Sequence, residues 1–295
     1  MNNAITLDDT LSAACAAGLP LHEARMLLLH LLGRAGHERA WLLAHGSDAA
    51  PAGVPEALRR LIERRLAGKP VAYLTGKKAF YGLELQVNEH TLDPRPDTET
   101  LVDWALELLR QADVPAVLDL GCGSGAIALA IAAHCAAARV AATDASEGAL
   151  AVARANAQRL GLNVQFLQGN WHNWFAPLAA GECFDLIVSN PPYIAESDPH
   201  LPALHCEPRC ALASGADGLR DIRRIVQGAA PHLAPGGWLL LEHGWQQGQA
   251  VRALLRAAGF AHISTRSDLG GNERTSGGQR PTPQTTFALP HPTPA

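Results

Sequence analysis

Two short stretches hold residues whose types and spacing suit chemistry. Val117-Leu118-Asp119-Leu120 runs directly into Gly121-Cys122-Gly123-Ser124-Gly125 and then into an apolar, helix-forming segment. Glycines there let the backbone approach a ligand closely, and the start of a helix offers N–H groups to a carboxylate or phosphate. Asp144 lies 19 residues beyond Gly125, where a carboxylate can accept hydrogen bonds from both hydroxyls of a ribose. A nucleotide-like ligand is expected. The pattern alone leaves a nicotinamide dinucleotide open, because G-x-G-x-x-G sites use the same strand, loop and acidic residue; a glycine-rich turn without ligand is the bland alternative. The second stretch is Phe184-Asp185-Leu186-Ile187-Val188, which ends in Ser189-Asn190-Pro191-Pro192-Tyr193-Ile194. A planar nitrogen, as in an amide or an exocyclic amine, has a delocalised lone pair and is a poor nucleophile. The Asn190 side-chain carbonyl and the Pro191 backbone carbonyl can hold its two hydrogens, the prolines stiffen the loop, and the Tyr193 ring can pack on the flat group. A proline-rich turn with a packed tyrosine is the competing reading.

The glycines run G-x-G-x-G, and Asp119 completes the string D-L-G-C-G-S-G. This variant resembles the class I S-adenosylmethionine-dependent methyltransferases. In that company, Asn190 to Tyr193 indicate methylation of a planar nitrogen: the two carbonyls aim the nitrogen at a sulfonium methyl and favour the positive charge that develops on transfer. The same tetrapeptide serves enzymes acting on adenine or cytosine in DNA and enzymes acting on glutamine side chains in proteins.

The rest of the chain narrows the choice. Lys69-Pro70-Val71-Ala72-Tyr73-Leu74-Thr75-Gly76, Phe80-Tyr81-Gly82-Leu83, Val87 and Pro94-Arg95-Pro96-Asp97-Thr98-Glu99 resemble the protein-(glutamine-N5) methyltransferases of peptide chain release factors, the PrmC/HemK family. Glu207-Pro208, Ala211-Leu212, Asp217-Gly218-Leu219, Glu242-His243-Gly244, Gln247-Gly248 and Asp268-Leu269-Gly270-Gly271-Asn272-Glu273-Arg274 agree with it. A sister family acting on a ribosomal protein carries P-R-S-P at the position of Pro94 to Asp97, which favours the release-factor branch. The chain departs from the family at Asp93, usually apolar, at Asp97, commonly glutamate, and at Asn170, where an acidic residue is common in the class. The resemblance implies S-adenosyl-L-methionine as cofactor, released as S-adenosyl-L-homocysteine, with contacts by Gly121, Cys122, Gly123, Ser124, Gly125, Asp144, Trp171 and Asn190. It implies catalysis by Asn190, Pro191 and Tyr193, and substrate contacts by Asn190, Pro191, Pro192 and Tyr193. The substrate it implies is the glutamine of the Gly-Gly-Gln motif in release factors, with the small helical domain helping to grip the partner. Asn170 retains a carbonyl able to accept from the adenine amine.

These residues need elements to position them. Four helices with a common apolar side are expected first: one through Leu7, Leu11 and Ala14, one through Ala24, Leu27, Leu28 and Leu31, a short one over Glu38–Ala44, and one from Pro55 burying Leu58, Leu61, Ile62 and Leu66. Leu83, Leu85 and Val87 alternate with polar residues after the turn-prone Tyr81-Gly82, as in a hairpin strand. A helix follows Pro96 to about Leu109, with Asp97 or Thr98 as its cap. Strands at Ala116–Leu120, Arg139–Thr143, Val164–Leu167, Phe184–Val188, Trp238–Glu242 and Ala261–Thr265 then alternate with helices at Ala126–Ala137, Glu147–Leu160, Leu219–Leu233 and Gln246–Ala258. Such alternation specifies an α/β fold, a Rossmann-like doubly wound sheet of the class I methyltransferase type, preceded by a small helical bundle and a connecting β-hairpin. The expected division is a helical substrate-recognition domain over 1–69, a connector over 70–96, a methyltransferase domain over 97–276 and a mobile tail over 277–295. The tail begins with Gly277-Gly278-Gln279, the triplet the resemblance assigns to the substrate, so an internal pseudosubstrate is one reading and coincidence the other.

Composition excludes several classes. The chain has 295 residues, 47% hydrophobic and 18% charged, ample for packed cores and, at roughly 150 residues per domain, for two domains. With 24 Lys and Arg against 28 Asp and Glu, no basic segment of the kind a DNA adenine methyltransferase needs is evident, and no direct, specific nucleic-acid binding is expected. A nicotinamide-dependent oxidoreductase would leave Asn190 to Tyr193 unexplained; a non-catalytic module using the cofactor for stability is the remaining alternative. No apolar run approaches the roughly 18 residues of a membrane span, and the polar, acidic start is no signal peptide, so a cytoplasmic location is expected. Cys15, Cys122, Cys135, Cys183, Cys206 and Cys210 are scattered. His205, Cys206 and Cys210 lack a fourth ligand and a common zinc spacing, so no metal is expected.

Overall fold

The computed structural model describes residues 5–170, 172–179 and 181–282. Helix α1 (Leu7–Ala16) starts at a capping box, with the Asp9 N–H donating to Thr6 Oγ1 at 3.1 Å and the Thr6 N–H to Asp9 Oδ2 at 2.9 Å. With α2 (Leu21–Leu31), α3 (Arg39–His45) and α4 (Val54–Leu66) it forms the bundle, whose core is built from Leu7, Leu11, Leu27, Leu28, Leu42 and Leu58. Leu61 is only half-buried and Leu66 is 54% exposed. The apolar stripe of α4 is therefore narrower than the sequence pattern: Leu58 and Ile62 are buried, Leu61 packs on the same core from a half-buried position, and Leu66 stays outside it.

The connector holds an additional one-turn helix, α5 (Val71–Thr75), before the hairpin of β1 (Lys77–Phe80) and β2 (Leu83–Gln86). Tyr81 and Gly82 both take positive φ, 47° and 76°, the conformation of a two-residue hairpin turn whose twist matches its strands. Hydrogen bonds from the Tyr81 N–H to Glu99 and from its hydroxyl to Asp103 (2.6 Å) dock the hairpin on α6 (Glu99–Leu109). Neither Asp97 nor Thr98 caps α6 with its side chain. Pro96–Thr98 form a 3-10 turn instead, which leaves the Thr98 hydroxyl for another partner.

The larger domain follows as β3 (Ala116–Leu120), α7 (Ala126–His134), β4 (Arg139–Asp144), α8 (Glu147–Leu160), β5 (Val164–Gln168), β6 (Phe184–Ser189), α9 (Arg220–Ala229), β7 (Leu233–Glu242), α10 (Gly248–Ala257), β8 (Ala261–Ser267) and β9 (Glu273–Gln279). The strands form one seven-stranded sheet in the order β5-β4-β3-β6-β7-β9-β8, parallel except at β9, which lies antiparallel between β7 and β8. Apolar clusters cover both faces: α6, α7 and α8 pack on one, α9 and α10 on the other. This burial explains the uninterrupted apolar runs of the central strands. Chain order reverses between β3 and β6, which opens a crevice at their carboxyl ends.

Helix α9 stops at Ala229, short of the expected Leu233, since the 3-10 turn Ala230–His232 contains Pro231 and Leu233 already pairs with Phe184. Helix α7 likewise ends at His134 instead of Ala137. The larger correction concerns the tail. Gly277, Gly278 and Gln279 are the end of β9, paired with Leu240, Leu239 and Trp238, and the Gln279 amide donates to the Gly236 carbonyl at 2.8 Å. A triplet held by two neighbouring strands is not a presented loop, so the pseudosubstrate reading is set aside. Residues 283–295 lie outside the described residues. Glycine is required here by space: a Cβ at Gly277 would stand 2.4 Å from Leu240 Cδ2 and 2.9 Å from the Trp104 ring. Gly277→Ala is therefore expected to destabilise by about 1–3 kcal/mol, the usual cost of overpacking. Gly36→Ala, where an added methyl meets nothing within 4 Å, is the control. Urea denaturation midpoints compare the two, and equal midpoints would refute the packing argument.

Candidate active site

The crevice is a mostly apolar cleft with a few polar groups, as small-molecule sites are. Gly121 to Ser124 of the glycine loop line it, and Gly125 lies behind them at the start of the helix. Gly121, Gly123 and Gly125 all have positive φ (74°, 56° and 83°), a conformation that side chains with a Cβ resist. A Cβ at Gly121 would also come within 2.8 Å of the Trp174 ring, and one at Gly125 within 3.0 Å of Leu129. The loop is held from below by Asp119, which accepts the Ala128 N–H at 3.1 Å and so ties β3 to the first turns of α7. Burial pushes the Asp119 carboxyl up to about 7 against that hydrogen bond. From the side, buried Asn156 donates to the Ser124 carbonyl (3.0 Å) and exchanges hydrogen bonds with Gln86 of the hairpin.

Asp144, at the end of β4, reaches the cleft with both carboxylate oxygens anchored: Oδ2 accepts the Gly123 N–H and Oδ1 the Ser146 N–H, each at 2.8 Å. Burial raises its pKa, opposed by the Ser146 and Gly123 N–H groups. Each oxygen keeps a second lone pair for a hydroxyl donor. Cys122 and Ser124 line the same cleft. The Cys122 thiol is buried and raised well above the usual range, mainly by burial and then by Asp144 and Asp119, so it is an inert wall atom. Trp171 lies outside the described residues. The indole in the cleft wall is Trp174, which the sequence analysis passed over, because its motif signal is no different from that of any packed tryptophan. The expectation for Asn170 is corrected: its carbonyl accepts the N–H groups of His172 (3.0 Å) and Asn173 (2.7 Å), so it is spent on its own turn.

Asn190 and Pro192 enter the cleft from the end of β6, which is locked to β3 by the Ser189 hydroxyl donating to the Leu120 carbonyl at 2.6 Å. The Asn190 amide donates through Nδ2 to Thr98 Oγ1 at 3.2 Å, which leaves Oδ1 as its acceptor. Pro191 is buried. Tyr193 is anchored at three points. Its ring packs on the α9–α10 core, its hydroxyl donates to Glu242 Oε1 (3.2 Å), and its carbonyl accepts from Gln247 Nε2 (3.0 Å). Burial, with the Glu242 carboxylate, raises the phenol far above its ordinary value. Glu242 ends β7 and is itself pushed up to about 7 by burial, opposed by the Thr98 hydroxyl, Arg274 and Tyr193. His243, wholly buried between the Gly244 carbonyl and the Ser276 hydroxyl (2.8 Å), is structural.

Next to the cleft, the segments that carry its lining residues Pro94 and Pro208 are joined by charge. Arg95 donates to Glu207 Oε1 and to Asp93 Oδ2 (3.3 Å), the Asp93 N–H donates to Glu207 Oε2 (3.2 Å), and Lys78 approaches Asp93 Oδ1 at 3.1 Å. The departure at Asp93 is thereby explained: two cations meet its buried charge. Among the described residues no cluster of His, Cys, Asp or Glu has metal-site geometry.

The arrangement sets glycines of positive φ beside the Asp144 carboxylate, with Asn190 and Pro192 in the same cleft. A bound S-adenosylmethionine suits it: the left-handed glycines admit a close ligand, Asp144 matches a ribose, and the Trp174 and Ile127 surfaces suit its apolar parts. Comparison with known proteins agrees. The family model for a methyltransferase domain matches residues 117–215, and that for the PrmC N-terminal domain matches residues 9–76. The release factor glutamine methyltransferase of Bordetella pertussis is 52% identical over 263 residues, covering 88% of this chain and 95% of the relative. Those of Xylella fastidiosa (strain Temecula1) and Escherichia coli K12 are 49% and 42% identical, covering 92% of this chain and 97% of each relative. Among solved structures, a methyltransferase from Pyrococcus furiosus shares the fold, with a TM-score of 0.53 at 19% identity over 74% of this chain and 97% of that one. Both domains and nearly the full length of these relatives are thus accounted for, and the chain belongs to the release factor glutamine methyltransferase family.

Proposed function

We infer that this chain transfers a methyl group from S-adenosyl-L-methionine to the side-chain amide nitrogen, N5, of the glutamine in the Gly-Gly-Gln motif of peptide chain release factors. The observation that carries this reading is the fixed orientation of Asn190: with Nδ2 given to Thr98, Oδ1 can only accept, as an –NH₂ substrate requires. In the proposed mechanism the Gly121–Gly125 backbone and the walls formed by Cys122, Ser124 and Trp174 cradle the cofactor, and Asp144 accepts from its ribose. When bound, the cofactor supplies an electrophilic sulfonium methyl. Asn190 Oδ1 and the Pro191 carbonyl each accept one N–H of the glutamine amide. They would fix its nitrogen in line with the methyl and disperse positive charge as the N–C bond forms and the S–C bond breaks, the thioether S-adenosyl-L-homocysteine being the leaving group and one N–H proton passing to solvent. Pro192 and the anchored Tyr193 keep these acceptors from relaxing, so their orientation is settled before substrate arrives. Among the described residues no helix is long and apolar enough to cross a membrane, and we place the enzyme in the cytoplasm, with its substrate. The test is incubation of the full chain with methyl-labelled cofactor and either a release factor or duplex DNA, with the label located by mass spectrometry. Label on the Gly-Gly-Gln glutamine is expected; label on DNA adenine, or on neither, would overturn the reading.

A further inference from the structure

Part of the cleft wall comes from outside the methyltransferase sheet. His90, in the connector between β2 and α6, lines the cleft together with Asp144, Ser146 and Ala149. Its ring lies against the first turn of α8: a Cβ added at Gly148 would stand 2.7 Å from His90 Cγ and 3.0 Å from its Nδ1. Gly148 is the second residue of that helix and has no positive φ. Alanine would suit such a helical backbone better, so it is the imidazole that requires glycine there. The turn that carries the ring is fixed. The His90 N–H donates to Asn88 Oδ1 at 3.0 Å, the Thr91 N–H to the Asn88 carbonyl at 3.1 Å, and the Thr91 carbonyl accepts the Tyr73 hydroxyl. Just before it, Gln86 exchanges hydrogen bonds with Asn156 of the same α8. The backbone is thus held on both sides, yet neither imidazole nitrogen is hydrogen-bonded to another described residue.

The chemistry of the cleft gives those nitrogens a use. Both oxygens of Asp144 are anchored by backbone N–H groups, and they meet a ribose as acceptors. A hydroxyl that donates to Asp144 still has lone pairs on its oxygen, which only a donor can fill. An imidazole supplies an N–H donor and a flat, largely apolar body together. We propose that His90 closes the ribose side of the S-adenosylmethionine site: it covers the sugar that Asp144 holds and donates a ring N–H to one of the hydroxyl oxygens. Gly148 leaves the room in which the ring does this. Cofactor binding then draws on the connector as well as on the sheet. The proposal rests on the cofactor assignment above and deepens it.

Isothermal titration of the full chain with S-adenosyl-L-homocysteine tests it. His90→Ala is expected to raise the dissociation constant about two- to tenfold, the scale of one neutral hydrogen bond. His90→Gln, which keeps an N–H donor, is expected to lie between His90→Ala and wild type. Gly148→Ala is expected to weaken binding about as much as His90→Ala, because its methyl displaces the ring. In the His90→Ala background that methyl meets nothing closer than the remaining residue-90 Cβ at 3.1 Å. There it is expected to change the constant by no more than about twofold. An unchanged constant in His90→Ala would overturn the proposal, and so would a His90→Gln chain that binds no tighter than His90→Ala. Equal losses from Gly148→Ala with and without the ring would overturn it too, since the methyl would then act on the helix and not through His90. A wild-type chain with no measurable affinity for S-adenosyl-L-homocysteine would fail the cofactor assignment itself; the other outcomes, in a chain that binds it, fail the proposal only.

Discussion

Asn190→Ala is expected to lower kcat for release-factor methylation by at least about 100-fold, the scale for removing one preorganised polar contact to a developing charge. The reason is specific to a planar acceptor. Its nitrogen gains nucleophilicity only as charge is withdrawn through its N–H bonds, and Asn190 Oδ1 is already held for that purpose by the 3.2 Å bond from Nδ2 to Thr98. Cofactor affinity is expected to fall much less, since the glycine loop and Asp144 are anchored independently, by Asn156 and by backbone N–H groups. Steady-state kinetics with isothermal titration of the cofactor separates the two effects. Turnover within a few-fold of wild type would remove Asn190 from the mechanism.

Asp144→Ala is expected to do the reverse. Among the described residues of the cleft wall the carboxylate is the one charged acceptor, and it also pins the loop through the Gly123 N–H. Its loss removes charge-assisted hydrogen bonds to the ribose and frees two backbone donors, a change of roughly 1.5–3 kcal/mol, or about 10- to 150-fold in cofactor dissociation constant. At saturating cofactor kcat is expected to recover most of its value, because nothing on the acceptor side of the cleft touches Asp144. Asp144→Asn, which keeps the volume and one acceptor, is expected to lie between the two. An unchanged dissociation constant in Asp144→Ala would refute the ribose assignment; a collapse of kcat at saturation would mean the loop itself had moved.

The residues singled out from the sequence share a property. Gly121 to Gly125 and Asn190 to Tyr193 are contiguous because each is proposed to perform one local task, a close backbone approach or a rigid pair of carbonyls, and a local task leaves a local signature. Asp144 is legible for a related reason: strand, loop and helix lengths in a doubly wound fold set its distance from the loop. The alternation of strands and helices is legible because burial on both faces of a parallel sheet demands apolar runs of fixed length. Strand β9 escaped because Glu273-Arg274-Thr275-Ser276-Gly277-Gly278-Gln279 has no apolar alternation. Its fitness as a strand comes from its small size beneath Trp104 and Leu240, which is a property of the neighbours.

What the amino-acid sequence by itself determined about this protein is therefore its fold class, its cofactor chemistry and the loop proposed to hold the acceptor nitrogen. What only the tertiary structure decided is how those parts are aimed. Thr98 reaches Asn190 across 92 residues, Tyr193 reaches Glu242 across 49, and Arg95 reaches Glu207 across 112. None of these pairs has a characteristic spacing, because their separation in the chain depends on intervening helices and loops whose lengths are free to vary. Orientation of an amide and pairing of buried charges are set by whichever donors and acceptors the fold buries together, and burial is a property of the packed molecule.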